Sequence, residues 1–264
     1  MRLAASLAAL CLLASPVLAG EAWDDLKPLV FDDRVIEDGA GIVALHAPYR
    51  AKDERSVPIT VDAAFSDGRK VKAVTLIIDE NPMPVSASVR FENGQDAVSV
   101  GANFRFNGPS PLRAIVEADD GRLYMAEAPV KTIGLGACAS PPVKSSNEAI
   151  ASMGEMKLED SIANGAARQS GALHVANLEV SHPNLTGLQK DQITLLYIPA
   201  RYVDTFDVWQ GEEKLMTVEG GISIAEDPKL SFSYRDNGAG KLKIRIEDTK
   251  GASFEKVFDV SPQS

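Results

Sequence analysis

Short runs rich in Val, Ile, Thr and Phe, each closed by turn residues, constrain this chain most. "VPITVDAAF", "KAVTLIIDE", "ASVRFE", "VSVGANFRF", "LRAIVEAD" and "LYMAEAPVKTI" follow one another from residue 57, with Gly, Asn, Pro and Asp-Gly between them. Runs of that length at that spacing build an all-β sandwich or barrel. The Asp-Gly pairs of "SDGRK" and "ADDGRL" are turns of the hairpin kind, because glycine accepts the positive φ that a tight turn requires. "ENPMPV" cannot be a central strand, since two prolines one residue apart remove two ladder donors, so it marks an edge or a connection. A second set begins with "ALHVANLEVS" and ends in "GKLKIRIEDT" and "SFEKVFDVS". Alternation in "KLKIRIED" places Leu242, Ile244 and Ile246 on one face and Lys241, Lys243, Arg245 and Glu247 on the other.

Between the two sets, from about Gly134 to Gly171, the composition shifts to Ala, Ser, Gly, Asn and Glu. One or two weak helices are expected there, the first opened by Ser145 and Glu148 as a capping box. At the other end, Met1 and Arg2, the apolar run "LAASLAALCLLAS", and the small residues Val17 and Ala19 form a secretory signal peptide cleaved after Ala19. The expected organisation is therefore a signal peptide over 1–19, a β-sandwich over 20–134, a cysteine-bearing arm and partly helical linker over 135–170, and a second sandwich over 171–264. No later stretch approaches the ~20 apolar residues of a membrane helix. A net charge of −10 argues against nucleic acid and anionic membranes as partners, and 45% hydrophobic content is enough for real cores.

Cys11 leaves with the signal, so Cys138, in "KTIGLGACASPPVKS", is the thiol that the exported chain keeps. Exported proteins use cysteines in pairs, and a lone one is an intermolecular partner, a buried packing group or a reactive centre. Its neighbours Gly134, Gly136, Ala137, Ala139 and Ser140 are small and give a segment reach and mobility. A thiol on such a tether suits a carrier that presents a bound group, through thiolate attack or disulfide exchange. Gly134, Gly136 and Ala139 also have dinucleotide-loop spacing, but Pro141 and Pro142 follow and no βαβ pattern surrounds them. His46, His174 and His182 are far apart and fit no metal-ligand spacing; His182 is a conceivable base for the thiol. No acid, base and nucleophile set assembles, so no catalytic, metal or cofactor site is assigned.

The first block, with "ENPMPVSASVRF" and a glycine-flanked cysteine at its end, resembles the SoxY subunit of the bacterial sulfur-oxidation carrier. The second, "EVSHPNLTGLQKDQITLLYIPARYVDTFDVWQGEEKL" and "DPKLSFSYRDNGAGKLKIRIEDTKG", resembles SoxZ, whose hallmark is His-Pro-Met, then Thr-Gly and a later Ile-Pro. The order is that of a fused SoxYZ, similar to the SoxYZ-like carriers associated with quinoprotein dehydrogenases of methylotrophs. That resemblance implies Ig-like sandwiches, a periplasmic location, a cysteine that holds cargo covalently on a swinging arm, and periplasmic enzymes of the Sox type or a quinoprotein dehydrogenase system as loading and unloading partners. A docking module without cargo is the alternative. The arm departs from the family's Gly-Gly-Cys-Gly-Gly at a free C-terminus: it reads Gly-Ala-Cys-Ala-Ser, is tethered at both ends, and has Pro141 and Pro142 stiffening its exit. His182 and Pro183 carry the SoxZ-like match, and Asn184 stands where the family has methionine.

Overall fold

The computed structural model describes residues 21–162 and 171–260. The signal peptide expected over 1–19, with Cys11, lies outside the described residues, as does 163–170 of the linker. A helix, α1 (Glu21–Phe31), precedes the strands β1 (Ile36–Asp38), β2 (Val43–His46), β3 (Val57–Ala64), β4 (Val71–Ile78), β5 (Val85–Gln95), β6 (Ala97–Phe104), β7 (Ser110–Ala118) and β8 (Leu123–Val130). One 3-10 turn at Ala137–Ala139 and helix α2 (Ser146–Ala151) lead into β9 (Met156–Ile162) and β10 (Leu173–Val180). The remaining strands are β11 (Val203–Gln210), β12 (Glu213–Gly220), β13 (Lys229–Arg235), β14 (Lys241–Asp248) and β15 (Ser253–Asp259).

The expected all-β architecture forms, in keeping with Ig-like β-sandwiches, and its strands are arranged in two sheets. One sheet has nine strands in the order β1-β8-β7-β4-β5-β12-β11-β14-β15, the other six in the order β2-β3-β6-β13-β10-β9. Period-two burial supplies the driving force: Val57, Ile59, Val61 and Ala63 of β3 point inward, as do Leu242, Ile244 and Ile246 of β14. Each sheet runs through both halves of the chain. β5 pairs with β12 from Phe91↔Met216 to Ala87↔Gly220, and β6 pairs with β13 from Val100↔Phe232 to Ala102↔Leu230. One hydrophobic cluster fills the space between the sheets from Val43 to Val260.

Several local expectations need correction. Asp120-Gly121 does turn the β7–β8 hairpin, with Gly121 at φ 85°. Asp67-Gly68, however, joins β3 to β4, which lie in different sheets, and the "DNGAG" turn likewise carries the chain from β13 across to β14. Crossing turns need positive φ as hairpins do, and Gly68 and Gly238 supply it at 88° and 84°. "ENPMP" lies in the β4–β5 connection, and Val85 after it opens β5. The Ser145–Glu148 capping box opens α2 as the spacing predicts, but "MKLEDSI", within the segment expected as linker, is strand β9 paired with β10. The acidic lead is helix α1 despite Pro28, and it lays Trp23 and Phe31 against Ile77, Ile115 and Leu123 of the nine-stranded sheet. Arg113, forked onto Asp79, stacks over the Trp23 ring at 4.6 Å.

Candidate functional site

The chain leaves the nine-stranded sheet after a last bridge, Arg50↔Lys131, and enters the stretch that carries the thiol. Thr132 Oγ1 donates to the Gly134 carbonyl at 2.7 Å, and a side chain at Gly134 would strike the Glu54 carboxylate, with 2.2 Å left for its Cβ. Gly136, at φ 78°, donates its N–H to the Asn107 carbonyl at 2.7 Å and turns the backbone into the 3-10 turn. That left-handed conformation is why glycine stands there.

Cys138 is 0% exposed. Its N–H points at Asn107 Oδ1 at 3.4 Å, and its carbonyl accepts from Thr186 Oγ1 at 2.6 Å. Two residues on, the Ser140 carbonyl accepts from Gln189 Nε2 at 2.9 Å. Thr186 and Gln189 belong to the long excursion between β10 and β11, and Gln189 Oε1 takes the Thr186 N–H in return. Beneath the turn, Asn81 holds the Asn107 N–H through Oδ1, and its Nδ2 donates to the Arg105 carbonyl and to Ser223 Oγ. The seat is thus built from both halves of the chain. Among the described residues, every bond made to the turn itself grips its backbone, and none of them involves the sulfur.

Electrostatics match that burial. Loss of hydration pushes the Cys138 thiol up to about 11, against the opposing field of Arg105. At neutral pH the group is a protonated, sequestered thiol, not the nucleophilic thiolate. Of the residues expected to form the arm, Ala137 is buried with Cys138, Gly134, Gly136 and Ser140 are half-buried, and Ala139 is exposed. The small residues serve close packing of a turn as well as reach.

His182 is not brought to the thiol. Its buried ring lies between Asn184, 2.8 Å from Nδ1, and Asp248, 3.4 Å from Nε2, and burial lowers its pKa. Asp248 is itself held by Arg201 Nε at 2.7 Å. Pro183 is buried beside it. Asn184, at φ 40°, is the pin of this segment: Oδ1 accepts from the Val203 N–H at 3.1 Å, and Nδ2 reaches the Ala225 carbonyl at 3.1 Å. Asparagine tolerates left-handed backbone better than methionine and has the polar ends these contacts need. His46 is a surface residue on Asp62 at 2.9 Å, and His174 is buried against Asp160. The residues that hold the thiol, Asn107, Thr186, Gln189 and the buried Arg105, carry no motif of their own. Only the Thr-Gly step at Thr186 lay within a pattern the sequence displays.

Several large apolar side chains are exposed on the thiol-bearing segment and on the β10–β11 excursion. Ile133, Leu135 and Val143 flank the turn, and the tip of the β10–β11 excursion exposes Leu195, Leu196, Tyr197 and Ile193, the last at 92%. Leu195 takes φ 59° there, while Asp191 Oδ1 collects the N–H groups of Ile193 and Thr194. No helix among the described residues is long and apolar enough to cross a membrane.

Residues 28–138 match the family model described as sulfur oxidation protein SoxY, and the match ends on Cys138. Residues 162–259 match the model described as sulphur oxidation protein SoxZ. No curated protein matches. Among solved structures, the sulfur carrier protein SoxY from Chlorobium limicola f thiosulfatophilum is 23% identical over 43% of this chain and 93% of its own, at a TM-score of 0.36. A variant of the superoxide reductase (neelaredoxin) from Ignicoccus hospitalis is 16% identical over 34% and 79%, at 0.29. A β-glycosidase from Bacteroides vulgatus is 13% identical over 83% and 24%, at 0.23. Scores this low carry no argument about function.

Proposed function

The chain belongs to the SoxYZ-like family, with a SoxY region and a SoxZ region fused in one polypeptide, and on that premise we propose that it is a periplasmic carrier that holds a sulfur-containing intermediate covalently on Cys138. The observation that supports this reading is the way the thiol is kept. Thr186 and Gln189, from the SoxZ region, and Asn107, from the SoxY region, hold only the backbone of the turn, so its release breaks no bond to sulfur among the described residues. Gly134, Gly136, Ala137, Ala139 and Ser140 are the segment that lifts, and His182 and Pro183 shape the loop that carries the latch.

Once lifted, the thiol regains hydration and ionises more readily. Its thiolate then attacks the outer sulfur of a disulfide or thiosulfonate-type donor: a new S–S bond forms, the donor's S–S bond breaks, and the leaving group departs with the electron pair. The thiol proton goes to solvent, and no separate oxidant is consumed because the donor sulfur is already oxidised. The carrier positions and shields its cargo, and the chemistry belongs to partner enzymes. Sox-type periplasmic enzymes are the partners we propose, and a quinoprotein dehydrogenase system is the narrower expectation of the resemblance.

The test is intact mass of the chain from its native host, before and after reduction, with the modified peptide mapped. A reducible adduct on Cys138 other than a second copy of the chain is expected. A uniformly unmodified thiol that no sulfur donor loads in the folded protein would overturn the reading. A second reading, a docking module without cargo, is favoured by the exposed Ile193 to Tyr197 tip. It expects partner association unchanged in Cys138→Ser and lost in Leu195→Asp.

A further inference from the structure

One motif that the carrier chemistry leaves unused is "ENPMP", between β4 and β5. Its backbone closes on itself and on the sheet. The Asn81 N–H reaches the Ile78 carbonyl at 3.1 Å, the Ile78 N–H reaches the Pro84 carbonyl at 2.9 Å, and the Glu80 N–H reaches Ser110 Oγ at 3.1 Å. Pro82 and Pro84 fix φ on either side of Met83, so the connection is stiff. An asparagine in a turn ordinarily spends its side chain on the backbone two residues on. Asn81, 4% exposed, spends its own on distant parts of the chain. Oδ1 accepts the Asn107 N–H at 2.8 Å, and Nδ2 donates to the Arg105 carbonyl at 2.7 Å and to Ser223 Oγ at 2.9 Å. Both amide donors and the oxygen are thus engaged. Asn107 in turn takes two N–H groups of the thiol-bearing turn, Gly136 on its carbonyl at 2.7 Å and Cys138 on Oδ1 at 3.4 Å. Ser223, buried and from the SoxZ region, donates to the Met83 carbonyl at 3.3 Å, and its own carbonyl accepts the Arg105 N–H at 2.6 Å. The Asn81 side chain therefore joins the floor of the turn to the other half of the chain.

We infer that Asn81 is a positioning residue for the thiol: it fixes Asn107, Asn107 fixes the entry of the turn by its N–H groups, and together they set how often Cys138 leaves its seat. Thr186 and Gln189 hold the same turn by its carbonyls, so the seat has two grips, one on each kind of backbone group. The inference rests on the carrier reading, in which lifting of the turn precedes loading, and it gives the β4–β5 connection a part in that step. Without Asn81 the Asn107 N–H and the Arg105 carbonyl lose a buried partner, and a buried group left unpaired costs more than its bond contributed. Local rearrangement that brings water to them moves Asn107 and loosens the turn before the sheets are disturbed.

The experiment times labelling of native Cys138 by N-ethylmaleimide in the full mature chain, across sub-denaturing urea, and sets it beside the global unfolding curve of each variant. Labelling through a local lift is nearly independent of urea, whereas labelling through global unfolding rises with the full unfolding slope. Wild type should show the shallow dependence at low urea. Asn81→Ala should raise that urea-independent rate about tenfold, and Ser223→Ala, which removes one partner of Asn81 and leaves Asn107 bonded, about threefold. Ile244→Val, a core change in β14 that makes none of these bonds, should lower the unfolding midpoint and leave the low-urea rate within about twofold of wild type. If Asn81→Ala does not fold, Ser223→Ala decides: a faster urea-independent rate supports the positioning role, and an unchanged one rejects it. Faster labelling of both variants only along the unfolding branch would make Asn81 merely structural and overturn the inference while leaving the carrier standing. A wild-type thiol labelled only through global unfolding would remove the lift itself, and the carrier reading and the inference would fall together.

Discussion

Cys138 and His182 are equally buried, at 0% and 1% exposure, and they are held in opposite ways. The histidine is fixed through its own ring, with Asn184 at one nitrogen and Asp248 at the other. The cysteine is fixed only through the carbonyls and N–H groups around it, by Asn107 of its own half of the chain and by Thr186 and Gln189, which reach across from the other half. Bonds to a side chain make it part of the structure, whereas bonds to its backbone leave the side chain chemically uncommitted. Of these two residues that the family resemblance singles out, one is therefore a knot and the other, on the proposed reading, a stowed reagent.

The sharpest way to break that contrast is at Asn184. Asn184→Ala deprives the Val203 N–H and the Ala225 carbonyl of partners and leaves a non-glycine residue at φ 40°. At about 1–3 kcal/mol per orphaned buried group, a loss on the order of 3–4 kcal/mol is expected in denaturant unfolding. A loss below about 1 kcal/mol would mean that the knot is not structural. Next in size is Cys138→Ser, which buries a more strongly hydrated hydroxyl at a position 0% exposed and should cost about 2 kcal/mol.

A pH effect accompanies the cysteine. The unfolded chain loses the Cys138 proton near pH 9.0, while the folded chain keeps it to about 11. Rising pH therefore favours unfolding across that window, by up to about 1.4 kcal/mol per pH unit. The difference in stability between wild-type and Cys138→Ser should narrow steadily from pH 9 to 11, and a constant difference would place the thiol in water. Thr186→Val removes one bond of the latch without touching the sulfur. It should cost about 1 kcal/mol and raise the alkylation rate of native Cys138 about fivefold, since labelling follows the open fraction. Smallest is Gly136→Ala, where no neighbour lies within 4 Å of the new Cβ, so that only the φ 78° strain of about 1 kcal/mol remains.

Alternation made much of the fold legible. Leu242, Ile244 and Ile246 could be assigned to the core from "KLKIRIED" alone, because period-two burial is a local property. Helix α1 was hidden by Pro28 and by acidic residues that look like a solvated lead, although Trp23 and Phe31 give it an apolar face. Strand β9 was hidden because "MKLEDSI" alternates weakly and carries charges at its outward positions. The turns of Asp67-Gly68 and "DNGAG" were visible as turns, but which sheet each strand joins depends on long-range pairing that no dipeptide encodes. The thiol itself was plain, being unpaired. Its burial was not, since small residues suit both a loose tether and a tightly packed turn. Arg105 gave no signal beyond an arginine between two phenylalanines, and only the folded chain places it on a cavity that Ser140 and Gln189 also line.

The seams between β5 and β12 and between β6 and β13 have a thermodynamic consequence. Each is an ordinary backbone ladder inside a continuous sheet, with the apolar cluster running beneath it. Neither half can melt while the other keeps its edge covered, because the survivor would expose unpaired N–H and C=O groups and half a core. Calorimetry should accordingly record one endotherm whose measured heat equals its van't Hoff enthalpy, as for a single cooperative unit, rather than the two transitions that a bead-and-string fusion would give.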